Sequence, residues 1–476
     1  MGRRLVRIDM ANPNWMHCLG PGPRARSSSR GSVAPDAVIQ GAEILLLGIV
    51  FVALAGRLFK LISAYAVNIF YFDQWDFDDA TLFQSHSLWQ MFRWQHGPHR
   101  QGAGALLQWI AEPLFRWNSR TESFVVGGVI VVATLCALYL KSRLYGHLSI
   151  SDAIIPIVFF TPLQYETLIG TANFAHGPLP LLLIVLYCLA WTIRRPALRY
   201  GLALFLNFVT IYTGFGILLG LLTPLLLAAD YWVNLRDTTR GRLYFVIAFL
   251  IACASLGSFF VGYRMEPSAD CFSPQPGSPV LYGWYAAVMF SPIFGVWGID
   301  TLPIVVGATA IGALLIVLII SLKRLSSRKE EWSRHATIVV LIAYCLLFCL
   351  ATAYGRLCLG IRFAQASRYV IYVNLGLLGL YLALLAIRNP IGRNVALVIL
   401  ALSLFRTADP DPRFYRRLAK MHDAKQAWKT CYLTLGDIDE CNQYPRVYPW
   451  EPERTRLQEK LDFLKRTRQN LFADSK

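Results

Sequence analysis

Four carboxylates, two histidines and an arginine crowd into two stretches of this 476-residue chain, Tyr71-Phe-Asp-Gln-Trp-Asp-Phe-Asp-Asp79 and His96-Gly-Pro-His-Arg100, just beyond a long apolar run. Charge beside lipid is costly, so a polar, aromatic loop in that position points to a working site. Carboxylates among aromatic rings suit general-base chemistry, because partial loss of water raises their affinity for a hydroxyl proton. Asp73 and Asp76 lead the candidates, since a spacing of three puts both on one face of a short helix. Asp78 and Asp79 read more simply as solvated acids near a helix end beside Trp75.

His96 and His99 are also three apart. They could ligate a metal with an aspartate, hydrogen-bond a phosphate, or cap a helix starting near Gln101. Pro98 between them speaks against a regular metal-binding helix, because proline removes a backbone donor and breaks a helix interior. Phosphate or sugar contacts are the favoured expectation; no residue is assigned to a metal, and a divalent metal stays open as a cofactor. Further along, Glu166 stands in Gln164-Tyr-Glu-Thr-Leu-Ile-Gly-Thr-Ala-Asn-Phe174. Arg356, Arg362 and Arg368 follow in Gly355-Arg-Leu-Cys-Leu-Gly-Ile-Arg-Phe-Ala-Gln-Ala-Ser-Arg-Tyr369, three cations with no acid between them. Guanidinium donors match phosphate oxygens, supplied either by the diffuse surface of anionic lipids or by one lipid-linked phosphate.

The elements that must position these residues are membrane helices. With 55% hydrophobic and 16% charged residues, and a mean hydropathy of +0.44, the chain departs from a soluble domain and reads as an all-α polytopic membrane protein. Apolar runs near 38–59, 122–140, 150–162, 177–193, 200–213, 216–233, 243–262, 301–322, 336–354, 369–387 and 393–406 predict about eleven spans, within a range of nine to thirteen. The stretch 200–233 could form a broken hairpin around Tyr212-Thr-Gly-Phe-Gly216. Residues 1–36 are expected to be a flexible cytosolic tail, 37–406 the transmembrane domain with a first outer loop over about 63–121, and 407–476 a small polar outer segment. In that last segment Leu457, Leu461, Leu464 and Leu471 line one helical face.

With the N-terminus cytosolic, the tail and inner loops carry 21 Lys and Arg against ten on the outer side up to the last span, which obeys the positive-inside bias. Counting Leu281–Ile299 as a span would break that bias, so it reads as a re-entrant or interfacial helix. The formal charge of +17 thus sets orientation, and no zinc finger, helix-turn-helix or basic stripe points to nucleic acid. The ten cysteines show no CxxC pair, and five fall in apolar runs as small packing residues; Cys431 and Cys441 could pair or stay as thiols.

Asp73-Gln-Trp, His96-Gly-Pro-His-Arg100, Gln164-Tyr-Glu166, Ser367-Arg-Tyr369 and Tyr448-Pro449 together resemble a group of bacterial integral membrane proteins among the GT-C glycosyltransferases. The resemblance spreads over nearly the whole chain. It implies a GT-C-like fold in the bacterial cytoplasmic (inner) membrane and a catalytic acid in the first outer loop, often in a DxD-like setting that Asp76-Phe-Asp78 and Asp78-Asp79 also fit. It further implies a polyprenyl-phosphate-linked sugar as donor, a glycan, lipid or protein as acceptor, and inverting transfer on the outer face. By position the base role passes to Asp73 first and Asp76 second, with Glu166 orienting the acceptor or sharing it. Arg356, Arg362 and Arg368, beside Tyr369, would stabilise the leaving phosphate, helped by Arg100 or His99. Related sequences often carry His-Asn-Glu-His-Arg; this chain has Gly97 and Pro98 in the middle, which removes an acid.

Three rivals compete with this expectation. A transporter or flippase would place charges within its spans and is often built from repeated halves, and no repeat of fixed period occurs here. A membrane acyltransferase would want a histidine at a helix end, for which His176 in Phe174-Ala-His-Gly-Pro178 is the one candidate. A non-catalytic relative is the third.

Overall fold

The computed structural model describes residues 33–78, 87–264, 279–327, 331–408, 410–443 and 454–473. In lipid a backbone must satisfy its own hydrogen bonds, so the apolar runs become helices. The first is α1 (Val33–Tyr65), which means that the last residues of the expected tail are already helical; the rest of that tail lies outside the described residues. The first outer loop then folds into two single turns, α2 (Gln74–Asp78) and α3 (Leu88–Phe92), a hairpin of β1 (Gln95–His96) and β2 (His99–Arg100), and α4 (Gly102–Phe115). Beyond it run α5 (Ser119–Tyr145), α6 (Ile154–Phe159), α7 (Pro178–Ala190), α8 (Pro196–Ile211), α9 (Ile217–Asp230) and α10 (Thr239–Phe260). The second half holds α11 (Val280–Val288), α12 (Thr301–Ser327), α13 (Trp332–Arg356), α14 (Val370–Leu385), α15 (Pro390–Ser403) and α16 (Phe405–Ala408). A polar end follows: α17 (Pro412–Leu435), α18 (Ile438–Asn442) and α19 (Arg454–Thr467).

Each of the eleven expected runs coincides with a helix, and seven of these are long and apolar enough to cross a membrane: Ile39–Tyr65, Ser119–Tyr145, Ile217–Leu235, Thr239–Phe260, Thr301–Leu325, Trp332–Leu359 and Ser367–Leu385. Four more are shorter: Ile150–Gln164, Pro178–Ala190, Pro196–Ile211 and Pro390–Ser403. Proline explains much of the shortening, because Pro178, Pro196 and Pro390 each open a helix, where a missing backbone donor costs nothing. The expected hairpin is broken at Tyr212–Gly216. A Cβ on Gly216 would lie 1.5 Å from the Thr210 carbonyl oxygen, so the tight passage between α8 and α9 admits only glycine. The nine-residue α11 is too short to span at about 1.5 Å per residue, and it packs on α12 and α13.

The apolar windows of α13 and α14 are 72% buried against 17% for α1 and α12, which places the first pair at the centre and the second pair against lipid. Close approach of α13 and α14 depends on Gly376 and Gly379, where a Cβ would meet Cys345 Sγ at 2.6 Å and Ile342 Cγ1 at 2.7 Å. Two cations counted above as loop charges turn out to be buried and paired. Lys141 Nζ donates to Asp152 at 2.8 Å, and Arg199 donates to Asp230 at 2.6 Å. Neither changes the sign of the orientation bias.

The polar end does not form a core of its own. Leu457, Leu461, Leu464 and Leu471 share one cluster with Trp428 and with Trp75 and Trp117 of the first outer loop. Asn470 sits between the two parts: its backbone N–H donates to the Arg116 carbonyl at 2.8 Å, its own carbonyl accepts from Asn68 at 2.8 Å, and its side chain donates to Ser119 Oγ at 3.0 Å. Cys431 and Cys441 are joined in a disulfide, and Cys358 is disulfide-bonded as well.

Candidate active site

Asp73 owes its position to its two C-terminal neighbours. Gln74 is buried and donates both to Glu122 Oε2 at 2.9 Å and to the Ala172 carbonyl at 3.0 Å, while its own oxygen accepts from the Tyr71 backbone at 3.1 Å. Trp75 is fully buried, edge-on to Phe70. Phe72, immediately before Asp73, holds a φ of +50°, a left-handed conformation that side chains avoid unless their surroundings impose it. With Gln74 and Trp75 serving as anchors, Asp73 is left half-buried in a crevice lined by Glu166, Thr167, Thr171, Asn173, His176 and Arg368.

The crevice therefore joins a carboxylate from the front of the chain to a guanidinium from near its back. Glu166 opens a π-helical turn, Glu166–Gly170, and is tied twice to the Ser367–Tyr369 turn. Its backbone N–H donates to Ser367 Oγ at 3.0 Å, and its carboxylate accepts from the Arg368 backbone N–H at 3.1 Å. Among the described residues, the acids whose charges act on the Arg368 guanidinium include Glu166 and Asp73. The free space is about 20 Å³, room for about one water, so a larger ligand needs the surrounding loops to part.

The other expected site residues separate into three groups. Tyr369 is buried behind Arg368, its ring 5.7 Å from the guanidinium, and Arg356 is near enough for its charge to act on both His99 and His176. Arg362 is exposed on the turn Ile361–Gln365 and does not line the crevice. Arg100 departs furthest from expectation. It is 3% exposed, its guanidinium donates to the carbonyls of Phe259 (3.1 Å), Val261 (2.8 Å) and Arg93, and it lies against the rings of Phe259 and Tyr263. These carbonyls use the donors that a phosphate would need, so Arg100 braces the hairpin against α10. Asp78 ends α2; Asp79, Tyr448 and Pro449 lie outside the described residues.

His96 and His99 face each other as partners across the hairpin, with Gly97 at a φ of +53° in its turn, and their side chains have different neighbours. His99 lies 4.3 Å from the Phe215 ring and 5.6 Å from that of His176. Burial, reinforced by the charges of Arg368, His96 and Arg356, pushes His176 down to about 3; burial likewise holds His99 well below the usual histidine range. Both rings are neutral near pH 7 and offer hydrogen bonds to a ligand rather than charge. His96 instead reaches Asp76, with Nδ1 3.4 Å from Oδ2. Asp73, Asp76 and His96 each present one ligand atom, all within 4.8 Å of one another. Two carboxylates and an imidazole accommodate a divalent ion such as Zn²⁺ or Mn²⁺. Asp76→Ala and His96→Ala should each weaken Mn²⁺ binding, followed by electron paramagnetic resonance, by about tenfold or more. Unchanged binding in both variants would remove this site.

Two lysines from the polar end hold the loops that carry the acids. Lys425 is buried in α17, and its Nζ donates to the Ile169 and Gly170 carbonyls at 3.0 and 2.7 Å, at the end of the π-helical turn. The same ammonium lies 4.3 Å from the Tyr71 ring centre. Lys460 of α19, also buried, donates to the Trp75 carbonyl at 2.9 Å. Sequence reasoning missed both, because a lysine in a polar helix looks solvated until its partners are known. It named His176 only as the candidate base of an acyltransferase, and it gave Asn173 no role, although Asn173-Phe-Ala-His-Gly-Pro178 is a polar break before a proline-led helix.

No protein-family model matches the chain, and no curated protein matches it in sequence. Among solved structures the fold is similar to the crystal structure of the Archaeoglobus fulgidus oligosaccharyltransferase in complex with Zn and sulfate, with a TM-score of 0.43 and 13% identity over 86% of this chain. The chain spans 58% of that structure's length.

Proposed function

We propose that this protein is a GT-C-like membrane glycosyltransferase with about eleven spans. It moves a sugar from a polyprenyl-phosphate donor to an acceptor hydroxyl on the non-cytosolic face. The observation that carries the reading is the crevice in which Asp73 and Glu166 meet Arg368. Asp73 takes the hydroxyl proton as the acceptor oxygen attacks the anomeric carbon. The bond from that carbon to the phosphate oxygen breaks, and its electron pair leaves with the polyprenyl phosphate, giving inversion. Charge growing on that phosphate is met by Arg368, with Arg356 close by and neutral His176 as a hydrogen-bonding group. Glu166 holds the Arg368 backbone and fixes the direction from which the guanidinium works. A divalent ion, if bound, would be held by Asp73, Asp76 and His96 and would add positive charge near the phosphate. The positive-inside bias supports the outer face, and the disulfides at Cys431–Cys441 and Cys358 suit an oxidising compartment there.

The test is turnover of a radiolabelled polyprenyl-phosphate sugar by the purified protein in vesicles, with host membrane extract as the acceptor source. Release of polyprenyl phosphate with sugar passing to an acceptor is expected; no turnover with any such donor would reject the reading. Arg368→Ala should weaken donor binding about 10- to 100-fold, since a charge-assisted contact is worth about 1.5–3 kcal/mol, whereas exposed Arg362→Ala should leave it unchanged. A donor titration with equal shifts for the two would reject the assignment.

A further inference from the structure

A second cavity, which Leu163 lines three residues before Glu166 of the crevice, plays no part in the steps above. It offers about 330 Å³, at the lower end of small-ligand sites, between the loop after α11 and the start of α17. Trp297, Phe414, Arg413 and Arg417 give it its chemistry, over a floor that includes Leu163. Trp297 is 42% exposed, with the Arg417 guanidinium 5.9 Å from its ring centre. The one acid among the described lining residues, Asp411, is already engaged, its Oδ1 accepting from the Arg413 backbone N–H at 2.7 Å as the cap of α17. Two guanidinium groups against one capped carboxylate give the described lining a net positive charge. Its walls are firmly set: Gln365, from the arginine-bearing turn, donates to Ser291 Oγ and to the Gly298 carbonyl, both at 2.9 Å, and accepts from the Gly298 N–H at 3.1 Å.

Tyr165 connects this cavity to the acids. The Arg417 guanidinium is near enough for its charge to act on the Tyr165 hydroxyl, the Tyr165 ring packs edge-on against Phe414 at 5.6 Å, and the next residue is Glu166. An indole face suits the apolar face of a sugar ring, and paired guanidinium groups suit a phosphate or carboxylate. We propose that this cavity is the acceptor subsite, and that the acceptor is an anionic glycan whose sugar stacks on Trp297 while its phosphate or carboxylate pairs with Arg413 and Arg417. The acceptor hydroxyl then reaches Asp73 past Tyr165. The assignment to an acceptor rests on the glycosyltransferase reading, whereas the binding chemistry does not.

The experiment measures binding to the full chain in phosphatidylcholine nanodiscs by ligand-observed saturation-transfer NMR, with glucose 6-phosphate, glucose and inorganic phosphate as probes. Glucose 6-phosphate should bind at least about tenfold more tightly than either glucose or phosphate. The double variant Arg413→Ala/Arg417→Ala should lose about that factor for glucose 6-phosphate, and Trp297→Leu should reduce it towards the affinity of phosphate alone. All three residues are exposed or half-exposed, so the fold survives their loss, which thermal unfolding would verify. Equal affinity of wild type and double variant would overturn the proposal, as would phosphate binding as tightly as glucose 6-phosphate. Displacement of the probe by phosphatidylglycerol in the nanodisc would identify a lipid-headgroup site and overturn it as well. In the turnover assay the double variant should raise the acceptor KM and leave the donor KM unchanged. Transfer with an unaltered acceptor KM would sink the subsite and spare the enzyme; binding without any transfer would do the reverse.

Discussion

Asp73→Asn lowers turnover of a polyprenyl-phosphate sugar by about 10³-fold and leaves donor affinity within about threefold. The magnitude follows from the general-base role proposed for Asp73, since a positioned proton acceptor contributes about 10²- to 10⁴-fold. Asparagine keeps the shape of aspartate but cannot take the hydroxyl proton. The surrounding fold should not notice the change, because Gln74 and Trp75 hold the turn through Glu122, Ala172 and the aromatic cluster, and none of those contacts uses the Asp73 carboxylate. Single-turnover release of polyprenyl phosphate, measured beside donor binding, separates the chemical step from affinity. Turnover retained at the wild-type rate would move the base role to Glu166 or Asp76. Loss of donor affinity by the same factor would instead make Asp73 a binding residue.

Lys425→Met uncouples the polar end from the acids. The substitution roughly preserves side-chain length while leaving the Ile169 and Gly170 carbonyls without their buried donor, each orphaned group costing about 1–3 kcal/mol. Protease cleavage within α17–α19 should become at least tenfold faster, and turnover should fall about tenfold or more, mainly in kcat, because the π-helical turn that carries Glu166 loses its support. Burial pushes the Lys425 ammonium down to about 7, whereas in the unfolded chain it titrates near its ordinary value of 10.5. Between those two values the unfolded chain binds the extra proton, so wild-type stability rises with pH from about 7 to about 10.5. Below pH 7 both states are protonated and the contribution is flat. Thermal unfolding at pH 7, 8.5 and 10 should show this slope in the wild type and its loss in Lys425→Met; parallel curves would reject the role.

Hydropathy made the helices legible because each apolar run is an element that must close its own hydrogen bonds in lipid. The weak point was length: runs led by Pro178, Pro196 or Pro390 look like spans in composition and are short as helices. Asp73-Gln-Trp could be read from its setting, polar residues among aromatic ones after a long helix. The leucine stripe of α19 could be read from its spacing, but what it packs against could not. Residues whose meaning lies in distant backbone atoms were opaque. Arg100 resembles a phosphate ligand until the carbonyls of Arg93, Phe259 and Val261 are seen around it. Lys425 and Lys460 resemble solubilising charges, and the pairing of His96 with His99 follows from a hairpin with a two-residue turn that no periodicity reveals.

The seating of Asn470 among Asn68, Arg116 and Ser119 has a consequence for biosynthesis. The loop bearing Asp73 is translated early, whereas its packing partners around Leu457–Phe472 follow only after all the membrane helices. A nascent chain can thread its helices into the bilayer one after another and still hold an unfinished crevice, which closes only once α19 has packed against the Asp73 loop.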